Sequence, residues 1–255
     1  MKKTITILTI TLLFSGFMGY KGFKNIKHNE KEYTIVNLDD NEIITQSSMN
    51  FLLKTEGLSF EAYKGMGRNE LAICYGNNFK EYLNLFHQNC TIHYDLLKRC
   101  IISKNVKLCQ RLPYECQDIG ATEKECDTVL QAKVQLFLSE LQKENLELNN
   151  KQYEALISLI YNLKNNFSAF VKSNLYQHIK YNTDSFDIKT YSIISEWLDF
   201  SRVKEEVTCS IVERRIKEVI AYYSEHTMEE KEIAYATLLS ILKDNYSGCK
   251  FVENY

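Results

Sequence analysis

The chain has 255 residues and a formal net charge of -2. This balance gives no overall attraction to nucleic acid, and we predict no nucleic-acid partner. Hydrophobic residues make up 45% of the sequence, which is enough for a core, whereas 9 glycines and 1 proline are too few for a turn-rich all-β sandwich. The composition therefore favours a mainly helical globular protein.

The amino terminus has the form of an export signal. Residues 1–20 begin with a short positive stretch and continue as an apolar run. Because no good cleavage site of small residues follows, two alternatives stay open: a signal peptide that is removed, or a membrane anchor that retains residues 4–20. In both cases we expect an exported protein that is periplasmic, membrane-anchored or secreted. Residues 21–46, which are polar with little periodicity, are predicted to form a tether.

The cysteines agree with export. There are 8 of them, an even number that predicts disulfide bonds in an exported chain, although the sequence does not determine which cysteines pair. An alternative is a zinc site built from Cys90, His93, Cys100 and Cys109. Their spacings are not those of paired zinc-ligand knuckles, so we predict disulfides and no metal site.

The first part of the domain predicts a helix followed by a hairpin. Ser47 or Ser48 can cap the helix, and one of its sides carries Met49, Leu52, Leu53 and Glu56. Residues 63–76 hold three glycines and then an apolar run, which is typical of a small hairpin. Residues 79–121, rich in cysteine, are predicted to be an insertion with short helices.

The rest of the chain predicts helices. Residues 153–163 are apolar nearly all round, as in a central buried helix. Capping boxes that open helices are predicted at Thr122/Glu125, Ser210/Glu213 and Thr227/Glu230. The fold class that follows is α+β, mostly α, with one small sheet.

The possible chemistry is that of carboxylates. A phosphate-binding glycine loop, a GxSxG elbow and an HExxH helix do not occur in the sequence, and we predict no cofactor. Glu56 is predicted at the last turn of its helix on the apolar side, where partial burial and the helix dipole disfavour the ionised form. Such a carboxyl can donate a proton to a glycosidic oxygen. From its position alone, a solvated residue at a helix end is the simpler interpretation.

The surrounding sequence favours the catalytic interpretation. Four blocks in order resemble the phage-type lysozymes and endolysins of glycoside hydrolase family 24, and they cover residues 47–224. The first block contains FLLKTEGL (51–58), AYK (62–64) and ICYG (73–76). The later blocks are TEKECDTVL (122–130), LNNKQYEALISLIYNL (148–163) and IVERR (211–215), with Trp197 in between.

The resemblance implies a lysozyme-like fold over residues 47–224, with a β-hairpin next to the catalytic helix and a helical C-terminal lobe. The cysteine-rich insertion and a helical extension at 225–255 lie outside it. By motif position, Glu56 is the proton donor of the family. The resemblance also implies a substrate groove lined by Asn78, Tyr161 and Ser173. Arg214 or Arg215 is expected to reach the carboxylate of Glu56.

The sequence departs from the family at the second catalytic positions. The family has Asp nine positions after the catalytic Glu and Thr before the Ile of the strand; here these are Gly65 and Ala72. Its glycine and histidine in the same motif are Cys74 and Asn77. Glu70, in the same predicted hairpin, is our candidate for a substitute second catalytic carboxylate.

The predicted function is that of a peptidoglycan muramidase, which hydrolyses the β-1,4 bonds of bacterial cell-wall glycan strands. The departures leave two rivals open. One is a catalytically impaired lysozyme-fold protein that binds peptidoglycan or another glycan. The other is an anchored protein-interaction module whose insertion makes the contacts.

Overall fold

The structure of the protein is a computed structural model, which describes residues 40–64, 70–163, 167–203 and 206–249. The predicted export segment and most of the predicted tether lie outside these ranges. Among the helices within them, none is both long and apolar enough to cross a membrane.

Helix α1, Asp40–Thr55, begins earlier than the sequence predicts. The predicted start at Ser47 or Ser48 was wrong, and residues 40–46 of the predicted tether are helical. Asp40 and Glu42 place negative charge in the first turn, where the helix dipole favours it. Ile44 is buried, so this early turn is anchored to the core, and Ser48 is buried within the helix instead of capping it.

The predicted hairpin is confirmed and is part of a three-stranded antiparallel sheet. The strands are β1 at Ser59–Lys64, β2 at Leu71–Cys74 and β3 at Asn77–Asn78. In the register, Ala72 of β2 lies between Tyr63 of β1 and Asn78 of β3. The turn from β2 to β3 needs left-handed backbone, with φ of 57° at Cys74 and 81° at Gly76.

The cysteine-rich insertion folds into short helices, as predicted. They are α2 at Phe79–Phe86, α3 at Gln88–Thr91, α4 at Tyr94–Ser103, α5 at Val106–Cys109 and a 3₁₀ helix at Tyr114–Cys116. Disulfides Cys90–Cys116 and Cys100–Cys109 close loops within it. Buried side chains from α2 and α4, including Tyr82 and Leu97, join the main core.

Two further disulfides connect separate elements. Cys74–Cys126 joins β2 to the long helix that follows the insertion, and Cys209–Cys249 joins the start of the helix at Cys209–Tyr223 to the chain that follows the last helix. All eight cysteines are therefore paired, which confirms the disulfide prediction. The alternative zinc site was wrong, because three of its four ligands are in these bonds.

The remaining chain forms a helical lobe, as expected. Its helices are α6 at Glu123–Lys143, α7 at Asn150–Asn162, α8 at Phe167–Val171, α9 at Asn174–Tyr181, α10 at Phe186–Asp199, α11 at Cys209–Tyr223 and α12 at Met228–Asn245. Two short antiparallel strands, β4 at Arg202–Val203 and β5 at Glu206–Val207, precede α11. Helix α7 is buried without a break from 154 to 161 and packs against α1, α6 and α11, so the predicted central helix is confirmed.

Of the three predicted capping boxes, two are confirmed and one is wrong. Thr122 and Thr227 form capping boxes at α6 and α12, as predicted. The box at Ser210 was wrong, because α11 begins at Cys209 and Ser210 lies inside its first turn. Thr208, which precedes the helix, has extended backbone, and Cys209, its first residue, is in a disulfide. The helix α12 agrees with the predicted helical extension, whose boundary at 225 stays a prediction.

The capping box of α6 provides a test of local stability. The Thr122 hydroxyl accepts a hydrogen bond from the Glu125 N–H at 3.2 Å and donates one to its carboxylate at 2.9 Å. Thr122→Ala is expected to lower the free energy of unfolding by roughly 1 kcal/mol at about pH 7, as measured by urea denaturation. Thr128→Ala, on the exposed side of the same helix, is the matched control and should cost less than about 0.5 kcal/mol.

The cost should depend on pH. Burial acts to raise the pKa of Glu125, but the hydrogen bonds from Thr122 outweigh it and hold this pKa below its usual 4.5. A lowered folded-state pKa contributes stability above the usual value and loses it as the pH falls through the folded value. The effect of Thr122→Ala should therefore shrink at about pH 3. An effect of equal size at both pH values would contradict this account.

Candidate active site

Glu56 lies directly after the last residue of α1, between that helix, α7 and α11. Its N–H donates to the Leu52 carbonyl at 2.8 Å, which continues the helical hydrogen bonding by one residue. Only 18% of its side chain is exposed. The helix end thus presents one carboxylate to a partly buried, polar environment.

Arg214 of α11 binds this carboxylate. Its Nη1 lies 2.7 Å from Glu56 Oε1, and its side chain is 12% exposed. Of the two arginines expected to reach Glu56, the structure therefore selects Arg214. Arg215, rotated by about 100° around the same helix, points into the core and pairs with Glu218.

Asn162, at the carboxyl end of α7, is a second contact of Glu56 that the sequence analysis missed. Its Nδ2 donates to Glu56 Oε1 at 3.4 Å and to the Ser158 carbonyl at 2.9 Å. The second bond fixes the amide on the helix, so that it approaches the carboxylate in one orientation. The residue lies in the block that resembles the family, next to Tyr161, and this position was the only signal available for it.

Two tyrosines lie within electrostatic range of Glu56. Burial raises the pKa of Tyr63, and the charge of Glu56 adds to this rise. Burial also raises the pKa of Tyr161, again with a contribution from Glu56. Both phenols therefore stay neutral at physiological pH, and each keeps a hydroxyl that can donate a hydrogen bond.

Tyr161 connects α7 to the sheet. Its single hydroxyl proton is shared between the Tyr75 carbonyl, at 2.7 Å, and Asn77 Oδ1, at 3.2 Å. Asn77 is buried, and its contact with Tyr161 supports the turn between β2 and β3. The contacts give Tyr161 a structural role; its predicted role in substrate binding is a separate matter that they leave as a prediction.

Asn78 and Ser173, the other predicted substrate-binding residues, cap helices. Asn78 Oδ1 accepts from the N–H of Lys80 at the start of α2, at 2.8 Å. Ser173 Oγ accepts from the N–H of Tyr176 at the start of α9, at 3.2 Å. Both side chains are partly buried. Their assignment to the substrate groove stays a prediction.

Glu70 is exposed at the start of β2. It lies near Tyr94 of the insertion, where burial raises the pKa of the Tyr94 phenol and the charge of Glu70 contributes to the rise. The polar groups that the structure describes around Glu56 are instead Arg214, Asn162 and the two tyrosines. The role of Glu70 as second catalytic carboxylate stays a prediction.

The resemblance implies the second catalytic groups at positions 65 and 72, and the structure describes only the second of these. Ala72 lies in β2 opposite Tyr63, and its side chain is a methyl group without a hydroxyl. Gly65 falls outside the described residues. Beside this end of β1, a groove of about 720 Å³ opens between the strand and the insertion, with Tyr63, Lys64 and Ile101 among its lining residues.

The structural role of Tyr161 can be measured. Tyr161→Phe leaves the Tyr75 carbonyl and Asn77 Oδ1 without this donor in a buried site, which should lower the free energy of unfolding by about 1–3 kcal/mol. Tyr191→Phe, at an exposed position of α10, is the matched control and should change it by less than about 0.5 kcal/mol. Equal stability of the two variants in urea denaturation would refute the structural role.

The comparison with known proteins agrees with this arrangement. A family model described as phage lysozyme matches residues 53–218 of the chain, which is more than half of it. The matched range includes Glu56, the sheet, the insertion, α7 and Arg214. A search of curated proteins finds no match to the chain.

Proposed function

The chain belongs to the phage lysozyme family, and we propose that it is a muramidase that hydrolyses β-1,4 glycosidic bonds in the glycan strands of peptidoglycan. Glu56 is the proposed proton donor. The observation that carries the proposal is the partly buried Glu56 carboxyl, which is held by Arg214 and Asn162 at the position where the family has its catalytic glutamate.

The proposed chemistry begins with general-acid catalysis. Protonated Glu56 transfers its proton to the glycosidic oxygen as the bond from that oxygen to the anomeric carbon breaks. Positive charge then develops on the sugar ring, and a water molecule completes the reaction by adding to the anomeric carbon. Asn162 keeps the carboxyl in one orientation throughout, and neutral Tyr63 can donate a hydrogen bond to the substrate.

The water needs a base, and here the chain differs from its family. Because Gly65 and Ala72 supply neither a carboxylate nor a hydroxyl, we propose Glu70 as the second catalytic carboxylate. General-base assistance contributes roughly 10²–10⁴-fold to rate. If Glu70 does not supply it, the enzyme should be slower than a family member with both groups by about this factor.

The proposed glycan contacts are made by Asn78, Tyr161 and Ser173. Capping uses the Oδ1 atom of Asn78, so its amide nitrogen is the atom we assign to a sugar hydroxyl or N-acetyl oxygen. Tyr161 and Ser173 contribute to the wall of the groove.

The proposed location is outside the cytoplasm. Four disulfides support an extracellular or periplasmic site of action. Attachment to a membrane through residues 4–20 is part of the proposal. Such an anchor keeps the catalytic domain close to the cell wall that contains its substrate.

A second candidate function is glycan binding without cleavage. It is favoured by the methyl group of Ala72 in place of the family hydroxyl. Such a protein uses the same groove and the same carboxylate to hold peptidoglycan.

Clearing of a peptidoglycan suspension by the oxidised protein decides between the two. Glu56→Gln should reduce the clearing rate by at least about 100-fold, because the amide cannot donate the proton. Glu229→Gln, which removes the same charge from an exposed position of α12, is the matched control and should retain the rate. Glu70→Gln should lower the rate if Glu70 is the second carboxylate and leave it unchanged if it is not.

Other outcomes have equally definite meanings. Full clearing by Glu56→Gln would exclude Glu56 as proton donor. No clearing by folded wild-type protein, together with its retention on sedimented peptidoglycan, would establish the binding function instead.

A further inference from the structure

Glu218 of α11 is a fully buried carboxylate with several donors around it. Its side chain has 0% exposure. Ser158 Oγ donates to it at 2.7 Å and Trp197 Nε1 at 3.0 Å. The guanidinium of Arg215, itself buried, pairs with the same oxygen as Trp197. A carboxylate is stable in such a site only because these partners replace its water.

The fourth donor to Glu218 is the arginine that binds Glu56. Arg214 Nε lies 3.3 Å from Glu218 Oε1, while its Nη1 lies 2.7 Å from Glu56 Oε1. Its Nη2 reaches Thr55 Oγ1 and Ser158 Oγ, both at 3.4 Å. One guanidinium is therefore shared between two carboxylates, one at the candidate site and one in the core.

We propose that Glu218 is a positioning residue, which orients Arg214 and limits how much of its positive charge acts on Glu56. The inference rests on the proposed role of Glu56 as proton donor. Glu218 itself lies in the core and touches no substrate.

The charged groups near Glu56 support this role of Glu218. On α11, Arg214 contacts Glu56, while Arg215 and Glu218 lie behind it in the core, with Arg215 still within electrostatic range of Glu56. Among the described residues of the other elements, the polar groups near Glu56 are the neutral Asn162, Tyr63 and Tyr161, and burial raises the pKa of both phenols. Burial lowers the pKa of Arg215, yet a guanidinium stays charged at physiological pH. Glu218 is thus the anion that offsets one of the two cations.

Two substitutions should move the titration of Glu56 in opposite directions. Glu218→Gln keeps the size of the side chain but leaves two arginines within electrostatic range of Glu56, so that the ionised form of Glu56 is favoured. Arg215→Met replaces the guanidinium with an apolar side chain. Arg214 is then the only arginine paired with Glu218, so that the protonated form of Glu56 is favoured. The second variant also decides the matter if the first does not fold.

The measurement is the pH titration of the Glu56 carboxyl by ¹³C nuclear magnetic resonance on the oxidised full-length protein, with the signal assigned through Glu56→Gln. The midpoint should fall by about one pH unit in Glu218→Gln and rise by a similar amount in Arg215→Met. Glu213→Gln is the matched control: it removes a charge that pairs with exposed Lys217 at 3.0 Å on the same helix, and should leave the midpoint unchanged.

Unchanged midpoints, or shifts in the same direction in both variants, would overturn the inference. The clearing assay adds a functional measurement, in which the alkaline limb of the wild-type activity profile should move with the midpoint. Because the titration does not require activity, a wild-type protein that fails to clear peptidoglycan refutes the proposed function without deciding the role of Glu218.

Discussion

The contact between Arg214 and two carboxylates is the interaction on which the candidate site depends. It joins the end of α1 to α11, and Ser158 of α7 hydrogen-bonds within the same group. Buried ions are costly unless other charges and hydrogen bonds satisfy them, and removal of one partner leaves the rest uncompensated. The contacts of Arg214 therefore connect the three helices, and they leave the Glu56 side chain 18% exposed.

The sheet and the insertion form the other side of the site. Tyr161 binds the turn between β2 and β3, which fixes the sheet relative to α7. The insertion begins directly after β3, with Asn78 as the cap of its first helix. The buried residues of the insertion are part of the main core. The position of the sheet therefore also depends on the helices of the insertion, which lie outside the resemblance.

The sequence predicted those features that depend on local patterns. The hairpin, the helices capped at Thr122 and Thr227, and the buried helix at 153–163 follow from spacing and composition. It did not predict Asn162 and Glu218 as parts of the site, because their roles depend on partners far away in sequence. The early start of α1 accompanies the burial of Ile44, and the capping box predicted at Ser210 is wrong because α11 already begins at Cys209. Local patterns of this kind cannot distinguish a cap from a residue in the first turn.

The backbone of Cys74 makes the site sensitive to its chemical surroundings. A residue other than glycine with φ near 57° is disfavoured by about 1–2 kcal/mol. The bond to Cys126 offsets that cost by restricting the unfolded chain. In a reducing environment the cost stays and the compensation is lost, directly beside the turn that Tyr161 holds. The oxidation state of one disulfide therefore determines how firmly this end of the sheet is held beside the candidate site.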